Sequence, residues 1–263
     1  ISTHCKLSVI YIIKVKCEPN IAQELHSHFS FDVPGAKFTP MYRNRVWDGQ
    51  LHLFSLFTNE IYTGLKPYIK HFAEVNQYTY DESKYTKTAD NISIEQLKSF
   101  INDLNISLKI RDYQIEAVHQ AINDGRRLLL SPTGSGKSLI IYILIRWHQQ
   151  FGRKQLIVVP TTSLVEQLYT DFQDYAKQDT WKASYNCYRI YGTVSKTNDM
   201  PVTISTWQSI HRLPKKFFSE FKTVYGDECH LFKAKSLTTI MNKCHTTPYR
   251  VGTTGTLDGT KTH

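Results

Sequence analysis

Read for its apolar positions, the first hundred residues change pattern several times. Leu7, Val9, Tyr11, Ile13 and Val15 alternate with more polar neighbours, which predicts a strand from Lys6 to Lys16 with these five on one face. Glu18-Pro19-Asn20 ends it, and Ile21, Leu25 and Phe29 then recur at four-residue spacing, the period of a helix. The aromatic-rich stretch from Phe38 to Phe54 carries Asp48-Gly49, a strong turn dipeptide, so a hairpin turning there is expected. Arg43, Arg45 and Trp47 would then share one face of its first strand. Gly64 to Val75 reads as a helix, and the polar, aperiodic residues 81–91 read as a connector. Ser93 with Gln96 forms a capping-box pattern that opens a helix running to about Leu104.

From Leu108 the pattern becomes an alternation of helices with short apolar strands. A helix over Tyr113–Asn123 stops at Gly125; strands are expected at Leu128, Gln155–Val159, Tyr188–Tyr191, Val202–Ser205, Thr223–Tyr225 and Tyr249–Gly252. The clearest intervening helix is Ser163 to Lys177. Such alternation predicts an α/β fold, a parallel sheet wound on both faces, with ligands at the C-terminal ends of its strands. The expected division is a small α+β domain over 1–92 and the α/β domain over 93–263.

Within that second domain, Ser131-Pro132-Thr133-Gly134-Ser135-Gly136-Lys137-Ser138 lies between Arg127–Leu130, read as a buried strand, and the apolar run Leu139–Ile145, read as a buried helix. Strand, Gly-rich turn and a Lys-Ser helix start is the layout of a phosphate-binding loop. The glycines let successive backbone N–H groups and the helix N-terminus face an anion. Lys137 would reach the β/γ-phosphates of ATP, and the Ser138 hydroxyl would ligate Mg²⁺. Pro132, Thr133, Gly134, Ser135 and Gly136 complete the expected cradle. The strict pattern has Gly where Ser131 stands; a Gly-Ser surface turn is the structural alternative.

Composition and charge narrow the class. An apolar fraction of 41% with 21% charged residues suits an ordinary globular protein, and the longest apolar run is far too short to span a bilayer. No secretory signal is visible, and Ile1 in place of Met points to a trimmed or excerpted N-terminus. Five cysteines show no C-x-x-C pair, which favours reduced thiols in a cytosolic compartment. The 11 histidines are scattered, without metal-ligand spacing. The net charge is +9, and residues 1–100 nearly balance, with 11 Lys+Arg against 10 Asp+Glu. The basic excess therefore lies on the ATP-binding half, where a polyanion partner or a generic solubility charge would account for it. Arg43, Arg45 and Trp47 suit nucleic acid in turn, guanidinium meeting phosphate and indole stacking on a base. A solvated strand face with a half-buried tryptophan is the alternative.

Asp227-Glu228-Cys229-His230 follows the short strand at Thr223–Tyr225. A carboxylate pair at a strand end supplies what Mg-nucleotide hydrolysis needs, one acid for Mg²⁺ and the next for the attacking water. With the upstream loop it is similar to the DEAD/DEAH box of superfamily 2 helicases, and further motifs stand in family order. Arg111-Asp112-Tyr113-Gln114 resembles the adenine-reading Q-type motif, with Arg111 and Gln114 as the implied base contacts. Val159–Gln167 resembles motif Ia, in which Pro160, Thr161 and Thr162 would hold strand phosphates. Ile204–Ser209 resembles the Ib region, implying nucleic-acid contacts from Thr206, Trp207 and Gln208. Gly252–Thr256 resembles motif III, implying a coupling role for Thr254, Gly255 and Thr256. His230 would bridge nucleotide state to that motif, a solvated or capping histidine being the alternative.

Within the superfamily the chain most resembles the recombination helicases of T-even phages, through Asn44, Trp47-Asp48-Gly49, Pro160-Thr161-Thr162 and the rare Asp-Glu-Cys-His. Gly226 and Gly255 depart from it, standing where relatives carry bulkier residues or Ala. The resemblance implies a RecA-like motor domain preceded by the small domain, catalysis by Lys137, Asp227, Glu228 and His230, metal ligation by Ser138 and Asp227, and ATP and Mg²⁺ as cofactors. It implies DNA as partner, as branched duplex, R-loops and also single strands, with a monomeric protein off the membrane, in the cytoplasm of a bacterial host. Motifs IV to VI of a second motor domain do not occur in the sequence, so weak binding of Mg-ATP and DNA with little turnover is expected of this chain. The motor subunit of a restriction or remodelling complex, and a nucleotide-gated DNA-binding module without turnover, remain the two other readings.

Overall fold

The computed structural model describes residues 2–5, 12–82, 89–132, 134–229 and 235–255. The chain separates into two compact units, Ile1–Lys87 and Thr88–Thr262.

The N-terminal unit begins with β1 (Ser2–Cys5), β2 (Ile12–Lys16), α1 (Pro19–His28) and β3 (Ser30–Asp32). It continues through α2 (Pro40–Arg43), β4 (Gln50–His52), β5 (Phe54–Ser55), β6 (Glu60–Tyr62) and α3 (Lys66–Val75). Strands β1-β2-β6-β5 form one antiparallel sheet, and β3 and β4 form a separate antiparallel pair. The alternation read from sequence holds where it is described: Ile13 and Val15 are fully buried against Leu25, Phe29, Phe54, Ile61, Ile69 and Phe72. Leu7, Val9 and Tyr11 lie outside the described residues.

The expected hairpin strand before Asp48-Gly49 does not form. Thr39 caps a helical turn instead, its Oγ1 accepting from the Tyr42 N–H at 3.3 Å, and Pro40 occupies the first helical position, where its missing N–H costs nothing. Arg43 therefore ends α2, Arg45 takes a left-handed φ of 55°, and Trp47 sits in the following turn, so the three share no strand face. Beyond the turn, β4 pairs with β3, Phe31 opposite Leu51.

The second unit opens with α4 (Ile94–Asp103), whose capping box is formed as the sequence indicates, Ser93 Oγ accepting from the Gln96 N–H and Gln96 Oε1 from the Ser93 N–H. There follow α5 (Asp112–Asp124), β7 (Arg126–Leu130), α6 (Lys137–Gln149), β8 (Gln155–Val159) and α7 (Thr162–Tyr175). Then come α8 (Ala183–Asn186), β9 (Cys187–Ile190), β10 (Val202–Thr206), α9 (Trp207–Ile210) and α10 (Lys215–Ser219). The last elements are β11 (Thr223–Gly226), α11 (Lys235–Lys243) and β12 (Tyr249–Thr254). The strands form one parallel sheet in the order β7-β12-β11-β8-β10-β9. Helices cover both faces, the RecA-like arrangement. Period two sorts β8 between the layers, Ile157 and Val159 packing with α5, α6 and α7, Leu156 and Val158 with Ile210, Phe218 and Ile240.

Arg127–Leu130 reads in sequence as a buried strand, and the structure differs. The strand lies at the edge of the sheet, where Leu129 is buried while Leu128 and Leu130 stay more than half exposed.

Candidate nucleotide site and nucleic-acid interface

Three strand ends converge here. β7 runs into the Gly-rich loop, β11 into Asp227-Glu228, and β12 ends beside both, because the Ser131 N–H donates to the Thr254 carbonyl at 2.8 Å. Within the loop the Ser131 and Ser135 hydroxyls bond at 2.5 Å, so the serine in place of the usual first glycine closes the loop on itself. Gly134 and Gly136 both take φ +81°, and Gly136 turns the backbone directly into the first turn of α6.

The first N–H groups of α6 lack acceptors within the helix, as at any helix start, and Lys137 is buried at that end. Gly136 is favoured by its φ, and a Cβ there would fall 2.3 Å from Gln114 Nε2 and displace that amide. The loop, the buried cation and the acidic strand end thus fit a magnesium-bound triphosphate.

Lys137 Nζ lies 3.3 Å from Glu228 Oε1 and 3.4 Å from the Ser131 carbonyl. Asp227 is buried beside it, its Oδ1 accepting from Thr253 Oγ1 at 2.5 Å. Burial pushes the Asp227 carboxyl above the usual range; the Thr253 bond and Lys137 pull it back, and the Glu228 charge pushes it further up. Glu228 takes a φ of 49°, a left-handed conformation rare for a residue with a long side chain. Cys229 explains the neighbouring glycines. Its Sγ donates to the Gly226 carbonyl at 2.9 Å, and a Cβ on Gly226 or Gly252 would come within 3.0 or 2.9 Å of that sulfur. Burial raises this thiol to about 11, so it stays protonated.

The Q-type residues brace the loop. Gln114 is buried, its Oε1 accepting from the Arg111 N–H and its Nε2 donating to the Ser135 carbonyl, both at 2.9 Å. Tyr113 Oη donates to the same carbonyl at 2.7 Å and accepts from Arg111 Nη1 at 3.2 Å. Ser138 does not stand open toward the acidic pair; its hydroxyl bonds Tyr175 Oη on α7 at 2.8 Å.

On the same ends of β8 and β10, Pro160, Thr161 and Thr162 form the entry to α7, the Thr161 hydroxyl accepting from the Leu164 N–H. Gln208 Nε2 donates to the Pro160 carbonyl at 3.1 Å, joining this segment to α9. Thr206 is buried and bonds Ser209, while Trp207 lies edge-on to His211. Thr254 is buried, with Gly255 just past the strand end. Arg43, Arg45 and Trp47 belong to the other unit. Thr133, His230 and Thr256 lie outside the described residues.

Sequence reasoning missed Tyr113, Tyr175 and Thr253 as members of the site. Tyr113 and Thr253 sit inside motifs that were read, whereas Tyr175 is far away in the chain and is brought in only by the crossing of α6 and α7.

A family model described as "Type III restriction enzyme, res subunit" matches residues 107–259, and one described as "DNA helicase UvsW, N-terminal" matches residues 5–81. The chain is similar to the ATP-dependent DNA helicase uvsW of Enterobacteria phage T4, 31% identical over 255 residues, covering 93% of this chain and 50% of that protein. It is 28% identical over 153 residues to the DNA 3'-5' translocase XPB2 of Sulfurisphaera tokodaii, covering 57% of this chain and 31% of the relative. The chain thus spans at most half the length of these two relatives. A crystal structure of the UvsW helicase from bacteriophage T4 superposes with a TM-score of 0.85 at 30% identity, covering 99% of this chain and 94% of that one. With the nucleotide loop, the acidic strand end and these likenesses in hand, the chain belongs to the type III restriction enzyme res-subunit family of superfamily 2 helicases, alongside the UvsW proteins.

Proposed function

We propose that this chain is the ATP- and DNA-binding portion of a DNA helicase that remodels branched DNA and R-loops in phage recombination, repair and replication. The observation that carries this is the convergence of Lys137, Asp227, Glu228 and Thr253 at three neighbouring strand ends. Lys137, now 3.3 Å from Glu228, exchanges that partner for the β/γ-phosphates when ATP enters. Gly134 to Ser138 hold the phosphates, with Arg111 and Gln114 toward the base and Asp227 and Ser138 as the groups that would hold Mg²⁺. The metal would neutralise charge developing on the transferred phosphoryl group. Glu228 orients the attacking water. Ser138 can keep its bond to Tyr175 as the donor and still offer an oxygen lone pair to the metal.

Pro160, Thr161, Thr162, Thr206, Trp207 and Gln208 lie on one rim of the sheet and supply the DNA contacts of the motor, while the Asp227–Thr253 bond ties the acidic strand end to the segment through Thr254 and Gly255. The protein acts as a monomer in the host bacterial cytoplasm. Among the described residues no helix is long and apolar enough to cross a membrane.

Two substitutions test the reading. Lys137→Ala is expected to abolish binding of a fluorescent ATP analogue, whereas Glu228→Gln keeps binding and removes DNA-stimulated phosphate release in the full-length protein. ATP turnover that survives Glu228→Gln would refute the assignment. The restriction-type motor is the second reading, favoured by the family description at residues 107–259. It requires turnover stimulated equally by linear and branched duplex, against preferential stimulation by branched DNA here.

A further inference from the structure

The failed hairpin of the N-terminal unit makes something else. The segment around α2 and the Trp47-Asp48-Gly49 turn borders an open cavity of about 520 Å³, whose lining includes Lys37, Tyr42, Arg43, Arg45, Trp47 and Asp48. That volume lies within the range of about 300–1,000 Å³ usual for small-ligand sites.

Its aromatic walls are held in place. Trp47 Nε1 donates to the Gln50 carbonyl at 2.8 Å, fixing the indole against the turn. The Thr39 cap holds the Tyr42 backbone N–H, and the Tyr42 ring lies over Gly49, where a Cβ would come within 2.9 Å of two ring carbons. Gly49 also takes φ +83°, so the turn and the ring seat both depend on it.

The charges are arranged for an anion. Lys37, Arg43 and Arg45 are exposed, and none of them forms a salt bridge among the described residues. The one acid in the lining has both oxygens engaged elsewhere: Asp48 Oδ1 accepts from the Gln50 N–H at 3.0 Å, and Oδ2 lies 2.7 Å from His52 Nε2. Three cations and two fixed rings around one concavity match a phosphate joined to a planar base. A base paired in a duplex has both faces stacked and cannot enter.

We propose that this cavity holds a single unpaired nucleotide of a DNA strand, its base against Trp47 or Tyr42 and its phosphate among Lys37, Arg43 and Arg45. The proposal rests on the DNA-acting reading above and makes the small domain the part that reads where a duplex is interrupted. Stacking and phosphate contacts are indifferent to base identity, so the site reads structure rather than sequence.

The test uses the full chain with a duplex carrying one bulged 2-aminopurine, against a fully paired duplex of the same length. Binding about 10-fold tighter to the bulged DNA is expected, with a change in 2-aminopurine emission on binding. Trp47→Ala should remove the emission change, and Trp47→Phe, which keeps a ring, should retain it. The exposed-residue variant Lys37→Ala/Arg43→Ala/Arg45→Ala should lose the preference without threatening the fold, whereas Lys14→Ala/Lys16→Ala/Lys70→Ala, an equal loss of charge outside the cavity, should not. Equal affinity for the two duplexes, or an emission change that survives both Trp47→Ala and the cavity triple variant, overturns the proposal while leaving the DNA-acting reading intact. Absence of DNA binding in any form removes both. Binding to anionic phospholipid vesicles without any preference for the bulge would assign the cavity to a lipid headgroup and equally overturn it.

Discussion

Thr253 holds the acidic strand end in its working geometry. It is a buried hydroxyl whose bond to Asp227 Oδ1 satisfies a carboxylate that burial would otherwise drive toward its neutral form. Valine has nearly the same shape and no donor. Thr253→Val should therefore cost about 1–3 kcal/mol in urea unfolding, the usual penalty for a buried polar group left without its partner. It should also weaken Mg-ATP binding, and Thr253→Ser should restore both. A Thr253→Val protein with unchanged unfolding midpoint and unchanged ATP affinity would show that the bond does not matter. Gly226 gives a second lesson at this scale. Its lack of a side chain is matched locally, since the Cys229 sulfur occupies the space a Cβ would need.

Among the elements, the end of α6 and the start of β12 are joined by a half-buried ionic network. Arg153 pairs with Asp90, whose carboxylate also accepts from Trp147 Nε1 and Tyr249 Oη. Burial alone would raise Asp90, but these bonds outweigh it and hold the carboxyl at about 2. His148 beside them is held down to about 3, chiefly by burial and then by the Arg153 charge, and its Nδ1 accepts from Arg153 Nη1 at 2.8 Å. The imidazole is thus neutral when folded, whereas in the unfolded chain it gains a proton below about 6.5. Between those values the unfolded state binds the extra proton, so stability falls as pH falls, by up to about 1.4 kcal/mol per pH unit from this group. His148→Asn keeps an acceptor for Arg153 and should flatten that slope in urea titrations between pH 6 and pH 4. An unchanged slope would mean that His148 is charged in the folded protein. None of this network could be read from sequence, because Asp90, Arg153 and Tyr249 meet only through the fold. The strands of the sheet could be, since each is a short apolar run bounded by polar turns. The edge position of β7 could not, because strand order is set by crossover connections rather than by local composition. At Thr39-Pro40 the information was present and outweighed: a cap residue followed by proline starts a helix, but the Asp48-Gly49 turn suggested a strand leading into it.

Over the whole molecule the charge is divided unevenly. Of the net +9, residues 1–100 contribute only about one unit, since their 11 basic residues meet 10 acidic ones. A near-neutral N-terminal segment can still bind a polyanion if its cations are gathered and its acids are occupied elsewhere. Lys37, Arg43 and Arg45 are gathered around one cavity, while Asp48 is engaged by His52 and Glu82 by Lys66. The remaining excess lies on the segment that carries the motor, whose contacts with DNA run along the phosphate backbone in the proposed function. Two electrostatic contributions follow, separable by salt. Each phosphate neutralised on a duplex adds about 0.9 to the slope of log K against log salt, and about 0.7 on a single strand. Removing Lys37, Arg43 and Arg45 should lower that slope by about 0.7–0.9 on bulged DNA, for the one phosphate they surround, and leave it unchanged on a paired duplex that cannot enter the cavity. Equal changes on both substrates would mean that the three cations act as a diffuse field on any DNA. A change confined to the bulged form locates them at the interruption, and leaves the duplex slope as the measure of the motor's own contacts.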